Sequence, residues 1–380
     1  MRTPSGGTLA ALAALAACAG PRAEPPEVRT VPADEIVRLA GLPDFVDVRE
    51  VVRGRNGIWI LDSESPYLTY VPADDPGAFR RFGREGSGPG ELRAPRGLRA
   101  VDGGVVVFDA TLRRLVGFTD SGGVLAVPTA ARESEAWIRP DLAEVTHVDP
   151  WRVRVAGDVE VSLAFAGRVT SAPDVWTGAL VGTTPEREAM FRLELDDLAP
   201  PRERPPTVFA PVPLWDVCGE SVVLWNPARQ AILGTDLSGT PLAETTVPAD
   251  APEITQEGVE AFLRYQARLE LGPGFERAGI DFRAQARQVR DAFGATGPAF
   301  VDLRCGAGTE VWLQTFDLGE HPLGLGSTWV RLAQGHPEER VRFPSDFRPL
   351  TFEENGVLGV ERTRAGDHLA IWRWRSGQVS

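Results

Sequence analysis

The chain has 380 residues, 43% hydrophobic and 24% charged, with 40 Gly and 32 Pro. This supports a large core but interrupts long helices too often, and it excludes collagen, coiled coil and wholesale disorder. The net charge of −13, with no basic run and every one of the 40 basic residues an Arg, excludes nucleic acid as a partner.

The N-terminal residues read as an address. Arg2 is followed by the apolar stretch Leu9 to Ala17 and by Leu15-Ala16-Ala17-Cys18, the order of an export signal. The stretch is far short of the roughly 20 residues that span a bilayer, so residues 1–17 are expected to be removed as a lipoprotein-type signal peptide. Leu-Ala-Ala-Cys resembles the lipobox of bacterial lipoproteins. The resemblance implies cleavage before Cys18, acylation of that residue and a stable membrane anchor, because two or more acyl chains hold where one is marginal. Ala19 rather than Asp after the cysteine favours the outer membrane of the bacterial cell envelope. The same Ala-rich run also suits cleavage for ordinary secretion. With Pro21, Pro25, Pro26 and Pro32, residues 18–38 read as the lipidated cysteine and an extended tether.

From there the chain repeats. Trp59-Ile60-Leu61-Asp62 leads at a fixed interval to Leu68-Thr69-Tyr70-Val71, Val106-Val107-Phe108-Asp109 to Leu115-Val116-Gly117-Phe118, and Val223-Leu224-Trp225-Asn226 to Ile232-Leu233-Gly234-Thr235. Each is a hairpin with an Asx turn, so Asp62, Asp109 and Asn226 read as structural caps. Asp62 and Asp109 are 47 residues apart, another 47 reaches Ala156, and Gln314 and Glu361 are again 47 apart. Asn226 falls out of step, which places an insertion around Trp176 to Glu194. Residues 252–296 change rhythm. Val259, Phe262, Leu263 and Leu269, then Phe282, Ala286, Val289 and Phe293, follow helical spacing, with Thr255 and Gly272-Pro273 as boundaries.

Units of four short strands with two apolar faces bury those faces against neighbours around an axis. The fold is therefore expected to be all-β: a six-bladed β-propeller over residues 39–378 with an inserted α-helical hairpin. Phe82-Gly83-Arg84-Glu85-Gly86-Ser87-Gly88-Pro89-Gly90-Glu91-Leu92, Pro95, Gly97-Leu98, Val101 to Val107, Asp109, Arg114-Leu115 and Phe118 resemble the NHL repeat. With Leu358-Gly359-Val360 and Ala370-Ile371-Trp372, the chain is similar to exported six-bladed propeller lipoproteins. That resemblance implies a fold and leaves the reaction unassigned. Gly86, Gly88 and Gly90 are expected to let their loop turn through positive φ; a strand rather than a helix follows, which argues against a phosphate cradle.

Chemistry is sparse. His147, His321, His336 and His368 lack metal-ligand spacing, and no nucleophile elbow is present. No catalytic residue, metal ligand or cofactor is nominated. The period instead nominates positions facing the axis: Asp47, Arg49, Arg99, His147, Asp216, Asp302 and Arg348 as a mixed-charge ring that either binds a ligand or neutralises itself. Cys218 and Cys305 hold equivalent positions in consecutive units. Export would permit their pairing, while the usual separation of inner strands opposes it. The functional expectation is a lipid-anchored, non-enzymatic binding or scaffolding module for a protein, peptide or glycan. The alternative is a lactonase-like hydrolase or lyase with a divalent cation at the channel.

Overall fold

The computed structural model describes residues 26–374 except 110, 113, 126–144, 157–158, 168–175, 184–188, 199–213, 228, 272–274, 276–277, 319–327, 334–335 and 364–365. The signal peptide and Cys18 lie outside the described residues.

The chain is an all-β β-propeller, with two α-helices among the described residues. Its strands form antiparallel sheets, each beginning with an inner strand. Sheet I runs from inner strand Val48–Arg53 through Gly57–Asp62 and Leu68–Pro72 to Arg80–Phe82. Sheet II holds Pro95–Val101, Gly104–Asp109, Arg114–Thr119 and Val124–Leu125. Sheet III holds Val145–Ala156, Val159–Gly167, Trp176–Thr183 and Ala189–Leu198. Sheet IV holds Leu214–Cys218, Ser221–Asn226, Ala231–Asp236 and Thr245–Thr246. Sheet V holds Phe300–Cys305, Val311–Thr315, Thr328–Ala333 and His336–Arg342. Sheet VI holds Phe347–Glu353, Gly356–Arg362 and Asp367–Arg373. The inner strands touch one another in sheet order, and that of sheet VI touches that of sheet I.

The core lies between sheets, as two-faced apolar strands require. Trp59, Leu61 and Tyr70 of sheet I meet Leu98, Val105 and Val107 of sheet II. Trp312 and Trp329 of sheet V meet Phe347, Phe352 and Trp372 of sheet VI, with Trp312 stacked on Phe352 at 4.3 Å between ring centroids. Each such side chain contributes about 1.5–3 kcal/mol on burial.

Two expectations are corrected. The tether does not extend to residue 38: Val28–Thr30 pairs in parallel with Arg340–Arg342 at the outer edge of sheet V, and Val37–Arg38 pairs with Ile371 and Ala370 at the outer edge of sheet VI. Proline density misled because edge strands tolerate it. Nor do the described residues of Trp176 to Glu194 form an insertion. Trp176–Thr183 and Ala189–Leu198 are outer strands of sheet III, whose strands of 8–12 residues take up the surplus, and Ala156 ends the inner strand rather than the second.

The helical hairpin is α1 (Gln256–Leu271) and α2 (Phe282–Phe293). Thr255 Oγ1 accepts from the Gly258 N–H, and Asp281 caps α2 by accepting from Ala284. Val259, Phe262 and Ala286 pack on Phe316 beside Val301 and Leu318, which seats the hairpin where the inner strand of sheet V begins. Among the described residues no helix is long and apolar enough to cross a membrane.

Candidate functional site

The inner strands give the channel two ends: an entry end, where they begin and the Asx turns lie, and a hairpin end, where they turn back. Five of the inner strands carry extra residues in their pairing, between Val48 and Glu50, Arg96 and Leu98, Val145 and His147 and again Val148 and Val153, Phe300 and Asp302, and Pro349 and Thr351. Such bulges reset which side chains face the axis.

At the centre Arg154 joins three sheets. Its guanidinium lies 3.2 Å from Glu50 Oε1 and donates from Nε to Asp216 Oδ1 at 2.9 Å. The second oxygens are used as well. Glu50 Oε2 accepts from the Leu98 N–H at 3.0 Å, and Asp216 Oδ2 from the Cys305 N–H at 3.1 Å. Burial opposes the charge on Arg154, but Glu50 and Asp216 outweigh it and hold its pKa above the ordinary value. Asp302 accepts from Arg304 Nε at 2.8 Å and from the Leu303 N–H. Arg304 is likewise raised against burial by Asp302.

A second cluster closes sheet VI on sheet I at the entry end. Asp367, fully buried, accepts from the Val48 N–H at 3.0 Å and from Arg362 Nε at 2.8 Å. Arg362 reaches Asp47 at 2.7 Å, and its pKa is raised chiefly by the hydrogen bond to Asp367. Arg348 reaches Asp47 and the Val48 carbonyl, its Nε buried without a hydrogen bond. Burial pulls its pKa down.

Thus Asp47, Arg348, Asp216 and Asp302 enter ion-pair clusters. Arg49 does not join them: it is the extra residue of its bulge, exposed and without an ion pair among the described residues. Arg99 lies on the inner strand of sheet II. His147 lies on that of sheet III, its side chain outside the described residues. Sequence reasoning missed Glu50, Arg154, Arg304, Arg362 and Asp367. The bulges hide the first three from strict alternation, and the last two sit on outer strands.

Cys218 and Cys305, which end consecutive inner strands, form a disulfide with Cα atoms 5.2 Å apart. The strands converge there because Asp216 draws the Cys305 backbone across the seam.

The caps reach further than a turn. Asp62 accepts from the N–H groups of Val46 and Asp47 and from Ser63, and Asp109 from Arg93, Ala94 and Leu112. Each Asp fixes the segment that enters its own inner strand. Asn226 accepts from Arg229. In the glycine loop Gly86 and Gly90 have positive φ, whereas Gly88 does not. Gly88 instead donates to Glu91 Oε2 at 2.7 Å, and a Cβ at Gly86 would fall 2.1 Å from that oxygen. The loop holds its own carboxylate, and the Gly88 N–H lowers the Glu91 pKa. Among the described residues no three His, Cys, Asp or Glu stand where they could jointly hold a metal ion.

No family model and no curated protein matches the chain. Solved structures do match. A Bacteroides fragilis protein described as exported aligns over 91% of this chain and 97% of its own, at 10% identity and TM-score 0.49. A member of the DUF4221 family from Bacteroides vulgatus covers 89% and 95%, at 11% identity and TM-score 0.45. Regucalcin, a calcium-binding protein of Agrobacterium tumefaciens, covers 91% and 95%, at 11% identity and TM-score 0.44.

Proposed function

We propose that the chain is an exported, lipid-anchored propeller of six blades, NHL-like in its second repeat, that serves the bacterial cell envelope as a non-enzymatic binding or scaffolding module for a protein, peptide or glycan. One observation carries the reading: the axial carboxylates Glu50 and Asp216 spend both oxygens on Arg154 and on backbone N–H groups of the neighbouring sheets. They are committed to holding the ring. A general base or metal ligand must instead be free to exchange protons or ligands. The lipobox-like Leu15 to Cys18 supports the anchor. Arg29, on the first described strand, shares a cavity of about 110 Å³ with Ala307, Glu310 and Glu354 of the inner hairpin turns. Val28–Thr30 runs from the hairpin end towards the entry end, which supports a reading in which the hairpin end faces the membrane and the entry end faces away.

Detergent phase partition tests the anchor: the wild-type protein is expected in the detergent phase and Cys18→Ser in the aqueous phase. Assays on lactones and esters with added divalent cations test the absence of turnover. Turnover that needs such a cation and disappears in both His147→Ala and Asp216→Asn would replace this reading with the lactonase-like one.

A further inference from the structure

The cavity at the hairpin end, between sheets V and VI, is walled by polar groups that the fold leaves unsatisfied. Its volume of about 110 Å³ is several times the roughly 10–15 Å³ that admits one water. Two of its acids are committed: Arg53 grips both oxygens of Glu353, and Arg29 pairs with Glu339. Glu310 is half committed. Its Oε1 accepts from Arg331 at 3.1 Å, while Oε2 has no hydrogen bond among the described residues. Glu354 is exposed and makes neither an ion pair nor a hydrogen bond among them.

Gly306 opens the wall beside Glu310. Its N–H donates to the Glu310 carbonyl and closes the turn between the first two strands of sheet V. A Cβ on Gly306 would fall 2.8 Å from Trp312 Nε1 and 3.1 Å from Glu310 Oε2, so a donor and an acceptor border one space that a larger residue would fill. Trp312 is fully buried, and its Nε1 has no hydrogen bond. Arg331 Nε, in the cavity wall, is also buried without one. A buried donor left unmade costs more than an ordinary hydrogen bond contributes. Trp59 of sheet I has an unbonded Nε1 as well, but there the atoms nearest a Cβ on Gly54 are its own ring and the Gly57 carbonyl.

This pairing restricts what fits. A cationic side chain would satisfy Glu310 and leave Trp312 orphaned, and a carboxylate or phosphate would do the reverse. A hydroxyl donates and accepts through a single atom and can bridge the two. Trp374 supplies a flat wall. Its Nε1 donates to the Glu353 carbonyl at 3.2 Å, and its ring centroid lies 4.6 Å from that of Trp372 and 5.8 Å from that of Trp312, so it is fixed before a ligand arrives. The negative face of an indole suits the C–H face of a sugar ring. Four acids and two arginines line the cavity, which disfavours uronic and phosphorylated sugars.

We infer that this cavity binds a neutral or amino sugar residue of a glycan, one hydroxyl bridging Trp312 and Glu310, another donating to Glu354, and the ring lying against Trp374. The inference rests on the binding-module reading and narrows its ligand to a glycan.

An array of immobilised oligosaccharides of neutral hexoses, N-acetylhexosamines, hexosamines and uronic acids, probed with the purified full chain over a range of concentrations, tests it. Saturable capture by neutral or amino sugars is expected. Trp374→Ala should weaken capture about tenfold or more, as loss of an aromatic anchor does, and Glu310→Gln about tenfold, the worth of one charged hydrogen bond. Glu354→Gln breaks no bond within the described residues, should weaken capture about threefold, and decides the matter if the other two lower the melting temperature. Arg283→Gln, on the exposed surface of α2, should leave capture unchanged. Capture by no neutral or amino sugar, equal weakening by all four substitutions, or capture of a tetralysine peptide in place of any sugar overturns the inference. Turnover, or loss of the anchor, with sugar capture intact would overturn the proposed function only. Intact anchoring without sugar capture would overturn this inference only.

Discussion

Two seams of the ring solve the same problem with different bonds. Between sheets IV and V, Asp216 accepts from the Cys305 N–H and the disulfide to Cys218 lies beside it. Between sheets VI and I, Asp367 accepts from the Val48 N–H, and the reinforcement comes from Arg362 and Arg348. The first seam joins sheets adjacent in sequence; the second joins the two ends of the chain. In both, a carboxylate ties one sheet to the inner strand of the next through the backbone, and Glu50 does so from sheet I to sheet II through Leu98. The hydrophobic effect is non-directional, whereas a carboxylate on a particular N–H fixes height along the axis. Hydrophobic burial drives these sheets together, and the carboxylates set their register.

The closing seam is the place to break this comparison. Asp367→Ala would leave two guanidinium groups short of a partner and the Val48 N–H without an acceptor, so a loss of about 3–5 kcal/mol is expected in urea denaturation. A loss below about 1 kcal/mol would mean that apolar packing alone closes the ring. At the other seam, Cys218→Ser with Cys305→Ser should cost about 2–4 kcal/mol, read as a fall in melting temperature that reductant reproduces in the wild type but not in the variant. Glu50→Gln keeps the shape and removes one of the two carboxylates on Arg154; about 2 kcal/mol is expected. If Asp216→Asn costs as much and the double variant costs less than the sum, the two acids act through the same guanidinium.

The smallest effect concerns pH. Hydrogen bonds from Arg38, both at 2.6 Å, hold the Glu361 carboxyl below its usual range. A carboxylate with a depressed folded pKa stabilises fully above its unfolded value, about 4.3, and that contribution is lost as pH falls through the folded value. Arg38→Gln removes the depression. The stability difference between wild type and variant should therefore be constant near neutrality and close under acid. A gap that widens in acid would contradict the pairing.

The propeller and its hairpins were legible because strand alternation and Asx turns are local, and Trp59 to Asp62 or Val106 to Asp109 carry both within a few residues. Thr255 and the spacing of Val259 and Phe262 likewise marked α1. The inner strands were found, but not all of their contacts. Asp216 and Asp302 were identified, whereas Arg154 emerged only through sheet III, whose long strands break the 47-residue step. Arg49 shows the limit most clearly: counting by twos puts it in the ring, and one extra residue in the pairing takes it out. The edge strands were the hardest to read. Val28–Thr30 and Val37–Arg38 pair with residues more than 300 positions away, beyond the reach of any local pattern.

Those short edge strands also govern when the molecule can be completed. Synthesis proceeds at roughly 5–20 residues per second, so the segment around Val37 waits on the order of tens of seconds for Ile371 to be made. Until then the outer edge of the final sheet does not exist, and the earliest residues remain open to the wrong neighbour. Removing the last strand, Asp367–Arg373, would therefore leave the segment around Val37 without its partner.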